Sequence, residues 1–146
     1  MPDGSADAVL AGQAYHWFDA EVAHAEIARV LRPGGIFAPI WNLRDESLTW
    51  VARLSEVDRD GSTQGKLLSP DEFGEAFGPI GLRDFQHSQT HTAGTLLALL
   101  KSRSSYLTAS AERQREIEEA VQTIAADLPD SFELPYVTRV YRGVRR

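Results

Sequence analysis

Two apolar segments, residues 8–12 and 36–41, are each followed directly by polar or aromatic side chains. These side chains are Gln13, His16 and Trp17 after the first segment, and Asn42 and Arg44 after the second. Amide and guanidinium groups bind small molecules by hydrogen bonds, an imidazole also transfers protons near neutral pH, and an indole face attracts cations. The two sets are therefore the first candidates for ligand binding and for chemistry.

The segments around these side chains predict a β-strand, a helix and a second β-strand in succession. Residues 8–12 and 36–41 have the continuous apolar character of buried parallel strands. Residues 19–31 carry apolar side chains at helical spacing, with Asp19 as the N-cap, and Pro33 with two glycines ends the helix. Such a βαβ unit is right-handed, and in open α/β sheets ligands bind beyond the carboxyl ends of the strands. Both sets of candidate side chains follow those ends.

The remainder of the chain predicts further helices and strands, so that the whole is an α/β protein forming a single domain over residues 1–146. Phe85 is expected to face inward, from a strand that could lie at an edge of the sheet. The expected elements are a helix over 47–58, a loop over 60–64, a short helix that begins at the capping box 69–72 and includes Phe73 and Phe77, a strand over 82–90, a hairpin of helices over 92–101 and 110–127, and a strand over 132–142.

Composition excludes several functional classes. Fifteen basic against 21 acidic side chains give a net charge of -6, which argues against binding to nucleic acid or to an anionic membrane and favours a small-molecule or protein partner. There is no cysteine, so disulfides and thiolate metal sites are impossible, and a cytoplasmic location is the simplest expectation. No apolar run approaches the roughly 20 residues of a membrane span, and no signal pattern is present, so a soluble, unprocessed chain is expected.

A metal site is not expected either. His87 and His91 are four residues apart on a predicted strand, which places them about 13 Å from each other, too far to share one metal ion.

Four motifs of the sequence resemble a known family: QAYHWFD, AEIARVLRPGGIFAPIWN, SRSSYL and FELPYVTRVYR. Together they are similar to the C-terminal half of class I S-adenosylmethionine-dependent methyltransferases, in the branch of the trans-aconitate methyltransferase-like proteins. The resemblance implies a partial Rossmann-like sheet whose strands are equivalent to the family's strands 4-5-7-6, with flanking helices. It also implies that the hairpin over 92–128 is an insertion before the last strand and carries a substrate lid.

The resemblance further implies a methyl donor, S-adenosylmethionine, and a small-molecule acceptor, which could bear a carboxylate. His16 would be the catalytic base and would contact the donor together with Gln13 and Trp17. The implied acceptor-binding residues are Asn42, Arg44, Arg103 and Tyr106.

Each of these residues also has a purely structural interpretation. Trp17 and Phe18 precede a helix and could form a hydrophobic staple, with Phe18 mostly in the core, and His16 could cap backbone groups. The same holds for the acceptor set: Asn42 and Arg44 could shape a turn, and Arg103 and Tyr106 could belong to a solvated helix end.

The sequence departs from the family pattern in two respects, because it lacks both the glycine-rich turn of the family's first strand and the acidic residue that ends the family's second strand and binds the ribose hydroxyls. No two of its glycines stand two apart, so the glycine-rich turn that holds the donor in the family has no equivalent here. The strand over 8–12 would then be an open edge with apolar side chains, which predicts a homodimer through this strand, an exchange of elements or the docking of another fragment. Two functions follow: an incomplete methyltransferase, inactive as this chain alone, or a non-catalytic dimeric module derived from a methyltransferase scaffold.

Overall fold

The structure is a computed structural model that describes residues 1–58 and 73–146. The predicted loop over 60–64 and the predicted capping box over 69–72 lie outside the described residues. The elements in chain order are β1 (Ala6–Gly12), a 3-10 turn (Tyr15–Trp17), α1 (Ala20–Val30), β2 (Leu31–Arg44), α2 (Thr49–Asp58), β3 (Gly81–His91), α3 (Ala93–Lys101), α4 (Ser104–Leu107), α5 (Ala111–Ala126) and β4 (Phe132–Val144).

The four strands form one sheet in the order β1-β2-β4-β3. β1 and β2 are parallel, with Val9 opposite Phe37 and Gly12 opposite Ile40. This order is the predicted 4-5-7-6 arrangement, so the expectation of an α/β fold with a partial Rossmann-like sheet is confirmed. The parallel pair requires a crossover between its strands, and α1 provides it.

α1 begins and ends where the local sequence predicts. The Asp19 side chain accepts a hydrogen bond from the Val22 N–H (3.2 Å), and the helix ends at Val30. The turn expected over 32–35 is instead part of β2, which starts at Leu31. Gly34 has a φ of +80°, and its N–H donates to the Arg145 carbonyl (2.9 Å). The glycine lets the chain turn while it keeps its pairing with β4.

Contacts between residues divide the described chain into two compact units. The first unit consists of residues 1–43, 73–85 and 138–146, and the second of residues 44–58 and 86–137. Each unit has its own apolar core. The first core contains Ala11, Tyr15, Ile27, Ala28, Leu31, Phe37, Trp41, Phe73, Phe77 and Tyr141, and the second contains Val51, Leu54, Leu96, Leu100, Ile117, Val121, Ile124, Phe132, Leu134 and Tyr136. The single domain over 1–146 remains a prediction.

The helical hairpin of the second unit has its predicted position. Thr92 and Ser110 are the N-caps of α3 and α5. The predicted stripe of α5 is buried, from Ile117 through Val121 to Ile124. The short helix α4 between them was not predicted. In the described part of the chain, no helix is both long enough and apolar enough to span a membrane.

Two expectations for aromatic side chains are wrong. Phe85 does not face inward but is 50% exposed, because β3 is an edge strand with nearly all of its residues exposed. Phe73 and Phe77 do not lie on a helix, since Gly74 has a φ of +73° and the Phe77 N–H donates to the Gly74 carbonyl in a turn (3.2 Å). Both rings are nevertheless buried in the core of the first unit.

Phe73 packs closely against the backbone of β4 at Gly143, where a side chain has no room. A methyl group at Gly143 would lie 2.7 Å from Cδ2 of the buried Phe73 ring. We expect Gly143→Ala to lower the free energy of unfolding by about 1–3 kcal/mol, as overpacking does. Urea denaturation measures this change.

The matched control is Gly94→Ala in α3, where the nearest atom to the new methyl group is Thr92 Oγ1 at 3.8 Å. Alanine has the higher helix propensity, so this variant should be more stable by up to about 1 kcal/mol. Equal stability of the two variants would contradict the packing described for Gly143.

Candidate functional site

The carboxyl ends of β1 and β2 are joined by two hydrogen bonds of Gln13. Its N–H donates to the Ile40 carbonyl (2.9 Å), and its side-chain amide donates to the Asn42 carbonyl (3.1 Å). Gln13 has a φ of 53°, in the left-handed region that non-glycine residues adopt at a cost. The structure therefore brings together two of the predicted site residues, Gln13 and Asn42.

Asn42 is also fixed by its side chain. Its Oδ1 atom accepts a hydrogen bond from the Thr138 hydroxyl on β4 (3.0 Å). The interpretation that Asn42 shapes the local structure therefore has support. A ligand role for Asn42 remains a prediction.

The 3-10 turn that follows presents one side chain inward and two outward. Tyr15 is buried (5% exposed), whereas His16 and Trp17 are exposed. The His16 and Trp17 rings lie 4.8 Å apart between centroids. Trp17 is 77% exposed and Phe18 is 43% exposed, so the expectation that Phe18 is mostly core is wrong, and Trp17 is no core residue either. An imidazole and an indole thus stand side by side at the sheet edge where ligands bind in α/β proteins.

Capping of α1 is the work of Asp19, whose carboxylate accepts from the Val22 N–H. His16 is therefore not needed as a cap at the start of this helix. The catalytic role of His16 remains a prediction.

Two residues that sequence reasoning missed lie directly behind this pair. The Tyr15 hydroxyl and His24 Nε2 are 2.5 Å apart, and their rings are stacked with centroids 5.7 Å apart. His24 is half-buried on α1, one residue beyond Ala23 and three before Ile27. That position falls on the inward stripe of the helix, which is the signal that would have identified it.

The remaining predicted residues, Arg44, Arg103 and Tyr106, belong to the second unit. Arg103 is exposed at the N-cap position of α4. The Tyr106 hydroxyl donates to the carboxylate of Glu118 on α5. Lys101 Nζ lies 2.9 Å from the same carboxylate. Tyr106 is therefore tied into a cluster with Lys101 and Glu118, which sequence reasoning also missed.

The groups of this cluster shift one another's pKa values. Hydrogen bonds from Tyr106 and from Lys101 lower the pKa of the Glu118 carboxyl. The hydrogen bond to Glu118, together with burial and the carboxylate charge, raises the pKa of the Tyr106 phenol. The Tyr106 hydroxyl is thus a protonated donor to a charged carboxylate, an arrangement that orients it firmly.

No metal centre is found in the described part of the chain, where no three His, Asp or Glu side chains cluster closely enough to hold an ion.

Comparisons with known proteins agree with this fold. A family model described as a methyltransferase domain matches residues 1–38, which include β1, the 3-10 turn and α1. An uncharacterised methyltransferase of Mycobacterium tuberculosis is 37% identical over an alignment 150 residues long. The alignment covers 98% of this chain and 60% of the relative. An uncharacterised methyltransferase of Schizosaccharomyces pombe is 32% identical and is covered to the same extent, 60%. The chain thus spans about 60% of the length of these relatives.

Among solved structures, a type II methyltransferase from Anaeromyxobacter dehalogenans superposes with a TM-score of 0.60 over 100% of this chain and 66% of its own, at 22% identity. This likeness supports the fold alone. The trans-aconitate branch remains a prediction. The domain match over residues 1–38 and the relatives together show that the chain is similar, over almost its whole length, to part of proteins named as methyltransferases.

Proposed function

We propose that the protein is an S-adenosylmethionine-dependent methyltransferase that acts on a small-molecule acceptor, and that the loop after β1 forms part of its donor site. The observation that carries the proposal is the exposed pair of His16 and Trp17 beside Gln13, at the carboxyl end of the parallel strands β1 and β2. The methyltransferase-domain match covers this loop and supports the proposal.

The three side chains suit methyl transfer from a sulfonium. The methyl carbon is already activated, so the protein must mainly align the acceptor, exclude water and, for some acceptors, remove a proton. Trp17 offers an apolar face that attracts a positive charge, Gln13 offers an amide, and His16 offers a base. In this proposal, His16 is the catalytic residue and contacts the donor together with Gln13 and Trp17.

The acceptor would be bound by Asn42, Arg44, Arg103 and Tyr106. A guanidinium binds carboxylate groups in a bidentate manner, so Arg103 favours an acceptor that bears a carboxylate. Since the Tyr106 hydroxyl already donates to Glu118, Tyr106 would contact the acceptor with its ring. Our other hypothesis from the sequence is a non-catalytic module. The comparisons do not favour it over a methyltransferase.

The open edge of β1 leads to a proposal about assembly: two copies of the chain pair through this strand. β1 is at the end of the strand order among the described residues, and its Leu10 side chain is 65% exposed. The Gln13 N–H faces β2, and successive N–H groups alternate in direction, so the Leu10 N–H points away from β2. An unpaired edge of this kind is a template for another strand.

The donor proposal predicts a localised response to S-adenosylhomocysteine. The sequence has no G-x-G turn for the amino-acid part of the donor, so we expect a dissociation constant on the order of 1 mM, about -4 kcal/mol. In an NMR titration, the indole N–H signal of Trp17 should shift. The Trp50 indole, which lies in the second unit against Phe132, is the internal control. An unmoved Trp17 signal, or an equal shift of Trp50, would refute the donor site.

A second prediction concerns the cluster that orients Tyr106. Because the folded pKa of Glu118 is lowered, its charge stabilises the fold above the ordinary carboxyl pKa of 4.5, and this contribution fades as the pH falls through the folded value. Glu118→Gln should therefore unfold more easily than the wild type at pH 7, and the difference should narrow in acid. Thermal unfolding at several pH values measures both effects.

The matched control is Glu119→Gln, which removes the same charge from the next, exposed position of α5. We expect it to have little effect at any of these pH values. A pH-independent loss of stability in Glu118→Gln would show that the carboxylate charge is not what orients Tyr106.

The assembly proposal predicts twice the mass of one chain in size-exclusion chromatography with light scattering at micromolar concentration. Leu10→Pro removes the outward N–H, which an edge strand tolerates, and should give a folded monomer. Leu10→Ala removes the exposed side chain but keeps the N–H, so it should remain a dimer. A well-folded monomer of the wild type would overturn the proposal, as would dissociation of both variants alike.

A further inference from the structure

We infer that Tyr15 and His24 are positioning residues, whose hydrogen bond sets the orientation of the turn that carries the exposed His16 and Trp17. The inference rests on the proposed function, because the turn that this pair positions carries the proposed donor site. Neither residue touches that site. Both act through the turn that carries it.

The argument begins with burial. Tyr15 is 5% exposed, while Gln13, His16 and Trp17 around it are exposed. Tyr15 is thus the one buried side chain of the segment from Gln13 to Phe18. The two hydrogen bonds within the turn are local, from the Trp17 N–H to the Ala14 carbonyl and from the Phe18 N–H to the Tyr15 carbonyl (both 3.0 Å). They define the shape of the turn, while Gln13 attaches its start to β2 and Tyr15 attaches its centre to the core.

The aromatic contacts of Tyr15 are apolar and adaptable. Its ring lies within 6.1 Å of Phe37, Trp41 and Phe73, between centroids and at tilted or edge-on angles. Such contacts hold a ring in the core but depend weakly on its rotation. Adding a directional bond removes that freedom, because a hydrogen bond weakens steeply when its angle changes.

His24 supplies the directional bond. Its Nε2 atom lies 2.5 Å from the Tyr15 hydroxyl, and its ring lies parallel to the Tyr15 ring within 13°. His24 is itself fixed, because α1 is capped by Asp19 and buries Ile27 and Ala28. A buried phenol needs a partner for its hydroxyl, so this bond ties the turn to α1. The backbone that carries His16 and Trp17 is then held in one orientation with respect to β1.

The test removes the hydroxyl and keeps the ring. In Tyr15→Phe, we expect the Trp17 and Phe18 amides to exchange their hydrogens roughly 10-fold faster than in the wild type, as the loss of one buried hydrogen bond implies. Tyr141→Phe is the matched control, because Tyr141 is a buried tyrosine of the same core whose ring contacts Trp41 and which lies on β4 rather than in the turn. It should leave the exchange of these two amides unchanged.

A second pair of variants tests His24 without altering the core tyrosine. His24→Gln keeps a hydrogen-bonding group on α1 and should retain most of the protection, whereas His24→Leu should behave like Tyr15→Phe. Unchanged exchange in Tyr15→Phe would overturn the inference. Equal acceleration in Tyr141→Phe, or equal behaviour of the two His24 variants, would overturn it as well.

A third readout connects the pair to the proposed function. The shift of the Trp17 indole signal with S-adenosylhomocysteine should require a several-fold higher ligand concentration in Tyr15→Phe than in Tyr141→Phe. If the wild type shows no such shift, the donor proposal fails, while the exchange measurements still decide whether Tyr15 and His24 position the turn. An equal response of both variants would overturn the link to the site.

Discussion

The parallel pairing of β1 with β2 is the interaction on which the candidate site depends. Two strands that run in the same direction end at the same edge of a sheet, and here that edge gathers Gln13 and Asn42. The Gln13 N–H extends the ladder one residue beyond β1, and its left-handed backbone then turns the chain towards α1. The crossover helix completes the unit, because a parallel pair requires such a connection.

The segment after β1 combines one buried anchor with exposed neighbours. A 3-10 turn has about three residues per turn, so three successive side chains point in different directions. Tyr15 faces the core, while His16 and Trp17 face outward. The same turn therefore packs the protein and presents an imidazole and an indole at the sheet edge. A site of this kind depends on the core behind it as much as on its own side chains.

In the second unit, one carboxylate organises the neighbouring helices. Glu118 on α5 accepts from Tyr106 on α4 and pairs with Lys101 at the end of α3. The Tyr106 hydroxyl is therefore already bound within the protein, and the role that the family resemblance implies for Tyr106 remains a prediction. Charged hydrogen bonds at such partly exposed positions contribute modestly to stability, and their main effect here is to orient the phenol.

Local signals in the sequence determined the elements and their order. The Asp19 cap defines where α1 begins, the Thr92 and Ser110 caps define where α3 and α5 begin, and the apolar runs define the strands. These signals act between residues close in the chain, so the sequence alone contains them. The family motifs likewise pointed to the order of the strands in the sheet.

The tertiary structure decided which side chains face the core and which remain exposed. Phe85 is exposed because β3 is an edge strand, Trp17 is exposed because Tyr15 takes the inward position of its turn, and His24 reaches Tyr15 across the packing of α1. Periodicity shows which residues share a face, but what covers that face is contributed by residues far away in the chain. For this reason, the sequence by itself determined the elements and the loop that carries the candidate site, while only the folded chain determined the partners of its side chains.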